Sequence, residues 1–235
     1  MKNKVTAVIL AAGDGKRMNT PVAKQFLLLE DKPVLYYSIK AFEESLVDEI
    51  VLVTGREQIE YCSHNIILPY GFKKIMHIIE GGKERYDSVM RALSAINNTD
   101  YVLIHDGARP FVSSALINDL IDVVKESKAC IVATPVKDTI KVVDMNGWVK
   151  ETPDRKTLWL AQTPQAFDYT SIRRAYELLF EENEAERIMI TDDAMVYECY
   201  IGQPVKVVRG DYFNIKLTTQ EDLTIAKGIN KSRRK

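Results

Sequence analysis

Between Val8 and Phe26 the chain reads VILAAGDGKRMNTPVAKQF, an apolar run that breaks into small residues and then into cations. Val8, Ile9 and Leu10 are apolar without alternation, the pattern of a strand covered on both faces in a parallel sheet. Ala11, Ala12, Gly13 and Gly15 remove side chains where a backbone must come close to a ligand. Successive N–H groups in such a loop cradle anionic oxygens. Lys16, Arg17 and Lys24 add positive charge just downstream, and a triphosphate is the ligand that needs both bare backbone donors and several cations.

Two better-known phosphate loops do not fit. Met18 stands where the dinucleotide fingerprint needs its third Gly or Ala, and no GKS or GKT follows for a Walker loop. Taken alone, the segment could also be a strand-to-helix turn with surface cations, the less favoured reading.

Further chemistry sits at the ends of two later strands. After Lys74–Ile79 comes GGKERYDSV, which places Gly82, Arg85 and Ser88 at a helix start, a second place for an anion or a base edge. After Tyr101–His105 comes Asp106, followed by Gly107, Ala108, Arg109 and Pro110. One aspartate facing a triphosphate is chemically sufficient for Mg²⁺, which takes one or two carboxylates plus phosphate oxygens and water. The alternative is an Asp106–Arg109 pair across a turn, and His105 is read as a packing residue. Asp192 and Asp193 are placed to cap a helix, and Lys216 is a lone cation in an apolar setting.

The elements that must position these groups alternate β, α, β, α up to the strand Ala129–Pro135, with helices over 32–45, from Arg85, and over 113–125. Such alternation predicts an α/β fold with a mostly parallel sheet. From Val136 the pattern changes to DTIKVVDMNGWVK, in which Asn146-Gly147 signals a hairpin. A two-stranded hairpin is marginal alone, so it is expected to reach onto a second subunit or to fold back on its own domain. Leu158–Thr163 returns to the sheet, TPQAF leads into a helix over 171–181, Val205–Val208 is a strand, and Gln220–Ile229 is the last helix.

With 235 residues, 46% of them hydrophobic, one domain is expected, the arm occupying about 137–157. Lys and Arg number 32 against 33 acids, so no basic field calls for nucleic acid, and no apolar run approaches a membrane span of ~20 residues. The start of the chain mimics a signal peptide, but cleavage there would cut through the phosphate loop, so a cytoplasmic location is expected. Three widely spaced cysteines suit reduced thiols.

The strings AAGDGKRM, AKQF, GGKERYDSV, HDGARPFV, PVKDTIK, TPDRKTLWLAQTPQAF, TDDA and NIKLTTQEDL occur in order over nearly the whole chain. Together they resemble the 2-C-methyl-D-erythritol 4-phosphate cytidylyltransferase family. The resemblance implies a Rossmann-like nucleotidyltransferase fold with a protruding β-hairpin arm, a homodimer joined by that arm, and Mg²⁺-dependent transfer of CMP from CTP. It implies that Ala11, Ala12, Gly13 and Gly15 line the nucleotide and that Arg17 and Lys24 hold the CTP phosphates. Gly82 and Ser88 would meet the cytosine, and Asp106 and Lys216 the ribose, metal and triphosphate. Arg109, Thr139, Thr191 and the partner arm's Arg155 would receive the polyol phosphate.

Two positions depart from the family pattern. Ala23 replaces a proline before KQF, and Phe213 stands where many members carry an acid, as an aromatic does in the ribitol-5-phosphate cytidylyltransferases. Those enzymes are the neighbouring alternative, although the arm sequence favours the isoprenoid enzyme. A catalytically dead nucleotide-binding regulator is the alternative of a different class, and Arg17, Lys24, Asp106 and Lys216 argue against it.

Overall fold

The apolar run that opens the sequence becomes β1 (Val5–Ala11), in which all residues except Leu10 are buried. The computed structural model describes residues 3–13, 23–183, 187 and 190–233. After a 3₁₀ turn (Lys24–Phe26), a small hairpin of β2 (Leu28–Leu29) and β3 (Lys32–Pro33) leads into α1 (Val34–Glu43) and β4 (Glu49–Thr54). An irregular helical stretch follows: α2 (Ile59–Cys62), a π-helical turn (Ser63–Ile67) and α3 (Leu68–Tyr70). Then come β5 (Ile75–Glu80), α4 (Arg85–Ala95), β6 (Tyr101–Asp106), α5 (Ser114–Ser127) and β7 (Ala129–Pro135). The arm holds β8 (Val142–Val143) and β9 (Val149–Glu151). The chain closes with β10 (Trp159–Asp168), α6 (Tyr169–Glu181), α7 (Asp193–Ile201), β11 (Lys206–Arg209) and α8 (Gln220–Arg233).

Seven strands form one sheet in the order β11-β7-β10-β6-β1-β4-β5. Side chains alternate across it, as strand geometry requires. Ile9, Leu52 and Leu103 join Ile39 and Phe42 of α1 and Ile121 of α5 on one face. Val8, Val51, Val53, Val102 and Ile104 pack on the other face against Val89 and Leu93 of α4 and Ile172 and Tyr176 of α6. Both faces are covered by helices, which explains why the strands read as unbroken apolar runs. Among the described residues no helix is long and apolar enough to cross a membrane.

The strand expected over Leu158–Thr163 runs on through TPQAF to Asp168 as β10, antiparallel between β6 and β7, and the helix expected over 171–181 follows it as α6. The helix starts afterwards at Tyr169, where the Asp168 side chain accepts a hydrogen bond from the Ser171 N–H at 3.0 Å. Pairing with two neighbours overrides the local pattern, because each strand residue there satisfies its backbone from both sides.

The register between β10 and β7 shifts between Ala161 and Gln165, and Thr163 within this irregularity turns toward β6. Its hydroxyl accepts the Asp106 N–H at 3.0 Å and pairs with His105 Nδ1 at 3.1 Å. His105 Nε2 then donates to the Arg109 carbonyl at 3.3 Å. Burial pushes the His105 imidazole down to about 3, so it is neutral near pH 7 and serves packing, as read from the sequence. Thr163→Val keeps the side-chain shape but leaves the Asp106 N–H and His105 Nδ1 buried and unpaired, so it should cost roughly 2–4 kcal/mol in urea denaturation. Thr163→Ser, which retains the hydroxyl, should cost much less.

Candidate active site

Because β4, β1 and β6 are parallel and in register, with Leu10 beside Asp106 and Ala11 beside Thr54, their carboxyl ends open on one edge of the sheet. Open α/β sheets place ligands there. A cavity of about 580 Å³ lies at this edge, lined by Ala11, Ala12, Gly13, Lys24, Gly82, Arg85, Ser88, Asp106 and Lys216 among others. Groups that are far apart in the chain therefore meet as the sequence reading expected. Gly15 and Arg17 lie outside the described residues.

The second glycine loop is shaped by contacts that leave no room for side chains. A Cβ on Gly81 would come within 2.4 Å of the Ala12 Cβ and 2.9 Å of Ser88 Oγ. The Gly82 N–H donates to Ser88 Oγ at 3.0 Å, and that hydroxyl donates to the Glu84 carbonyl at 3.2 Å. Glu84 and Asp87 form a capping box at the start of α4. The glycines and Ser88 thus belong to one turn, and Gly82 and Ser88 form part of the cavity wall.

Asp106 is the electrostatic centre. Its Oδ2 accepts from Lys216 Nζ at 2.8 Å, its Oδ1 from Arg85 Nε at 3.3 Å, and Arg109 Nε lies 4.0 Å from Oδ2. Burial alone would raise this carboxyl, but the charges of Arg85, Lys216 and Arg109 outweigh it and hold the group well below the usual carboxylate range. Lys216 is therefore not a lone cation in an apolar setting: the segment before α8 brings it onto Asp106 from 110 residues away in sequence. Arg109 donates from Nη1 to the Asn214 carbonyl at 2.7 Å, while its Nε is buried without a hydrogen-bond partner.

Arg85 does more than sit at a helix start. Its Nη1 and Nη2 donate to the two oxygens of Asp193 at 2.8 and 2.7 Å, and Tyr176 donates to Asp193 Oδ1 at 2.6 Å. Asp193 is fully buried, so the capping reading holds only for its neighbour Asp192, whose side chain accepts from the Met195 N–H. Burial and the Asp193 charge raise the Tyr176 hydroxyl well above its ordinary range, which keeps it a donor. The sequence carried no sign of this pairing, since Arg85 and Asp193 share no motif.

A further group that the sequence reading passed over is Gln25, which is buried and whose side chain donates to the carbonyls of Ala11 and Gly13. Beside it, Ala23 has φ −60° and ψ 139°, the backbone that a proline would hold. The alanine thus already adopts the shape that a proline would impose before Lys24.

Thr139, Arg155 and Thr191 do not reach the cavity within the chain. All three are exposed. Arg155 Nη1 donates to the Lys137 carbonyl at 2.8 Å and ties together the two legs of the arm. The arm tip is a three-residue loop rather than the two-residue turn that Asn146-Gly147 signals. The Asp144 N–H donates to the Trp148 carbonyl, the Gly147 N–H to the Asp144 carbonyl, and Gly147 takes φ +84°.

Among the described residues no group of three or more His, Cys, Asp or Glu side chains gathers to cage an ion. The donor chemistry nonetheless fits Mg²⁺ arriving with a polyphosphate: Asp106 is an ionised oxygen donor on the cavity wall, and Mg²⁺ completes its shell with phosphate oxygens and water.

A sequence model of the 2-C-methyl-D-erythritol 4-phosphate cytidylyltransferase family matches residues 5–232. The chain is 53% identical over 226 residues to the cytidylyltransferase of that name from Lachnoclostridium phytofermentans, covering 96% of each. It is 52% identical over 222 residues to that from Lachnospira eligens, covering 94% of this chain and 96% of the relative. The crystal structure of 4-diphosphocytidyl-2C-methyl-D-erythritol synthase from Anaerococcus prevotii is similar with a TM-score of 0.86 at 34% identity, covering 97% of this chain and 96% of that one.

Asp193→Ala should destabilise the fold by about 3–5 kcal/mol, because it leaves the Arg85 guanidinium with only one carboxylate and strands the Tyr176 hydroxyl. Asp193→Asn, which keeps one acceptor, should lose less. Urea denaturation of both variants checks the order.

Proposed function

The chain belongs to the 2-C-methyl-D-erythritol 4-phosphate cytidylyltransferase family, and from that premise we infer that it transfers CMP from CTP to 2-C-methyl-D-erythritol 4-phosphate and releases pyrophosphate. The observation that carries this reading is the convergence of Lys24, Lys216, Asp106 and the bare Ala11–Gly13 backbone on one cavity. An oxygen of the substrate's phosphate attacks the α-phosphorus of CTP, the bond from that phosphorus to the bridging oxygen breaks, and its electron pair leaves with pyrophosphate. The attacking phosphate is already ionised near pH 7, so no covalent nucleophile or strong base is required. Positioning and charge neutralisation supply the catalysis.

In this reading Arg17 and Lys24 hold the triphosphate, Gly82 and Ser88 meet the cytosine, and Lys216 and Asp106 lie beside the ribose and phosphates. Asp106 would hold Mg²⁺, which neutralises phosphate charge when bound. Phe213 is half exposed beside Asn214, and it leaves Asp106 as the proposed protein carboxylate on the metal. Arg109, Thr139, Thr191 and Arg155 receive the polyol phosphate, and the enzyme works as a cytoplasmic homodimer whose arms exchange.

The shape of the arm supports that exchange. Val143, Met145, Trp148 and Val149 are more than half exposed on a hairpin whose two strands, among the described residues, pair only with each other. An apolar arm of this kind calls for a covering surface, and a second subunit would both cover it and bring Arg155 to a site that it does not reach in its own chain.

Pyrophosphate release from CTP should be rapid with methylerythritol phosphate, slow with ribitol 5-phosphate, and abolished by chelator. Faster turnover of ribitol 5-phosphate would favour the neighbouring family, and no turnover of either would favour a non-catalytic nucleotide-binding protein. For the shared site, Lys24→Ala and Arg155→Ala homodimers should both be nearly inactive, whereas the mixed heterodimer should regain activity through one composite site carrying both intact residues. Verified heterodimers without recovery would place Arg155 in its own subunit's site or outside the reaction.

A further inference from the structure

The Ala11–Gly13 stretch proposed to meet the triphosphate carries almost no side chain, so a group from elsewhere in the chain is needed to hold the direction of its peptide groups. Gln25 is placed to do so. Its side chain is 3% exposed, and its Nε2 donates to the Ala11 carbonyl at 2.6 Å and to the Gly13 carbonyl at 3.3 Å. In a planar trans peptide the C=O and N–H point to opposite sides. Holding the Ala11 carbonyl therefore turns the Ala12 N–H away from Gln25, and Ala12 lines the cavity. Gln25 also belongs to the same 3₁₀ turn as Lys24, another cavity residue.

We propose that Gln25 is the positioning residue of the Ala11–Gly13 backbone: its amide sets the direction of these peptide groups, which receive the triphosphate, and, through its own turn, the place of Lys24. The side chain acts through two carbonyls and one neighbour and does not join the chemistry. The inference rests on the CTP reading of the cavity.

The side-chain chemistry gives a specific test. Gln25→Met has nearly the same length and no donor. Gln25→Glu keeps the shape, loses the donor when ionised, and regains one donor when protonated. A carboxylate facing two carbonyl oxygens in a buried site has a raised pKa, so this variant titrates in an accessible range. Dissociation constants for CTP and for inorganic triphosphate are measured by calorimetry at about pH 8 and about pH 6, as ratios to wild type, alongside melting temperature and the kinetic constants for both substrates.

Gln25→Met should weaken both ligands about tenfold or more at either pH and lower kcat/KM for CTP roughly 100-fold, with the KM for the polyol phosphate nearly unchanged. Gln25→Glu should match it at the higher pH and move back toward wild type at the lower one. Wild-type affinity in Gln25→Met would overturn the proposal. So would a parallel loss of both substrates together with melting temperature, without recovery of Gln25→Glu at low pH, which marks a merely structural role. Inorganic triphosphate separates the two readings: a wild-type protein that binds it but not CTP would sink the cytidylyl reading while the variants still decide the role of Gln25.

Discussion

A carboxylate held away from water has to be surrounded by positive charge, and the site is built on that requirement at Asp106. The residue ends β6 with little exposure, where an unpaired ionised group would be very unfavourable. Arg85 from α4, Arg109 from the turn after β6 and Lys216 from the segment before α8 all approach it. The cluster keeps more cations than anions around its cavity edge even with Asp193 included. A polyanionic ligand meets a site whose positive charges are already in place, so little reorganisation is needed when it binds.

The same requirement reaches across the sheet. Arg85 shares its guanidinium between Asp106 and the buried Asp193, and Tyr176 of α6 completes the second carboxylate. The start of α7 is thereby tied to the end of β6. Gln165 in β10 adds a second tie, donating to Asp192 and accepting from the Ala194 N–H. The antiparallel insertion of β10 serves the site directly, because Thr163 within its irregular stretch fixes Asp106 from behind and also accepts Asn214 through its carbonyl. Asn214 in turn receives Arg109, so the turn carrying both charged residues is clamped from two sides.

The arm follows a different logic. From Lys137 to Thr152 every residue is exposed except the partly covered Asp144, and the arm is held by its own pairs, Asp144 across the tip and Lys141 Nζ with Thr152 Oγ1 at 2.8 Å. At its root the Lys137 ammonium lies 3.7 Å from the centre of the Tyr212 ring, and the Tyr212 hydroxyl reaches the Pro135 carbonyl at 3.0 Å. These contacts orient the root and leave the apolar tip exposed.

The sequence by itself determined the alternation of strands and helices, the glycine turn after β5, the acid at the end of β6 and the hairpin near Asn146. Each of these depends on near neighbours: side-chain period, backbone freedom at glycine, or a capping side chain. It gave the wrong ending for β10, because strand pairing on both sides is a long-range effect that no local pattern carries. The partners of charged groups were equally hidden: Lys216 read as isolated and Asp193 as a cap, since Coulomb attraction acts through space and says nothing about separation along the chain. Gln25 was legible only as part of the KQF string. Its place was decided by tertiary structure, which brought its amide within hydrogen-bond reach of the Ala11 and Gly13 carbonyls.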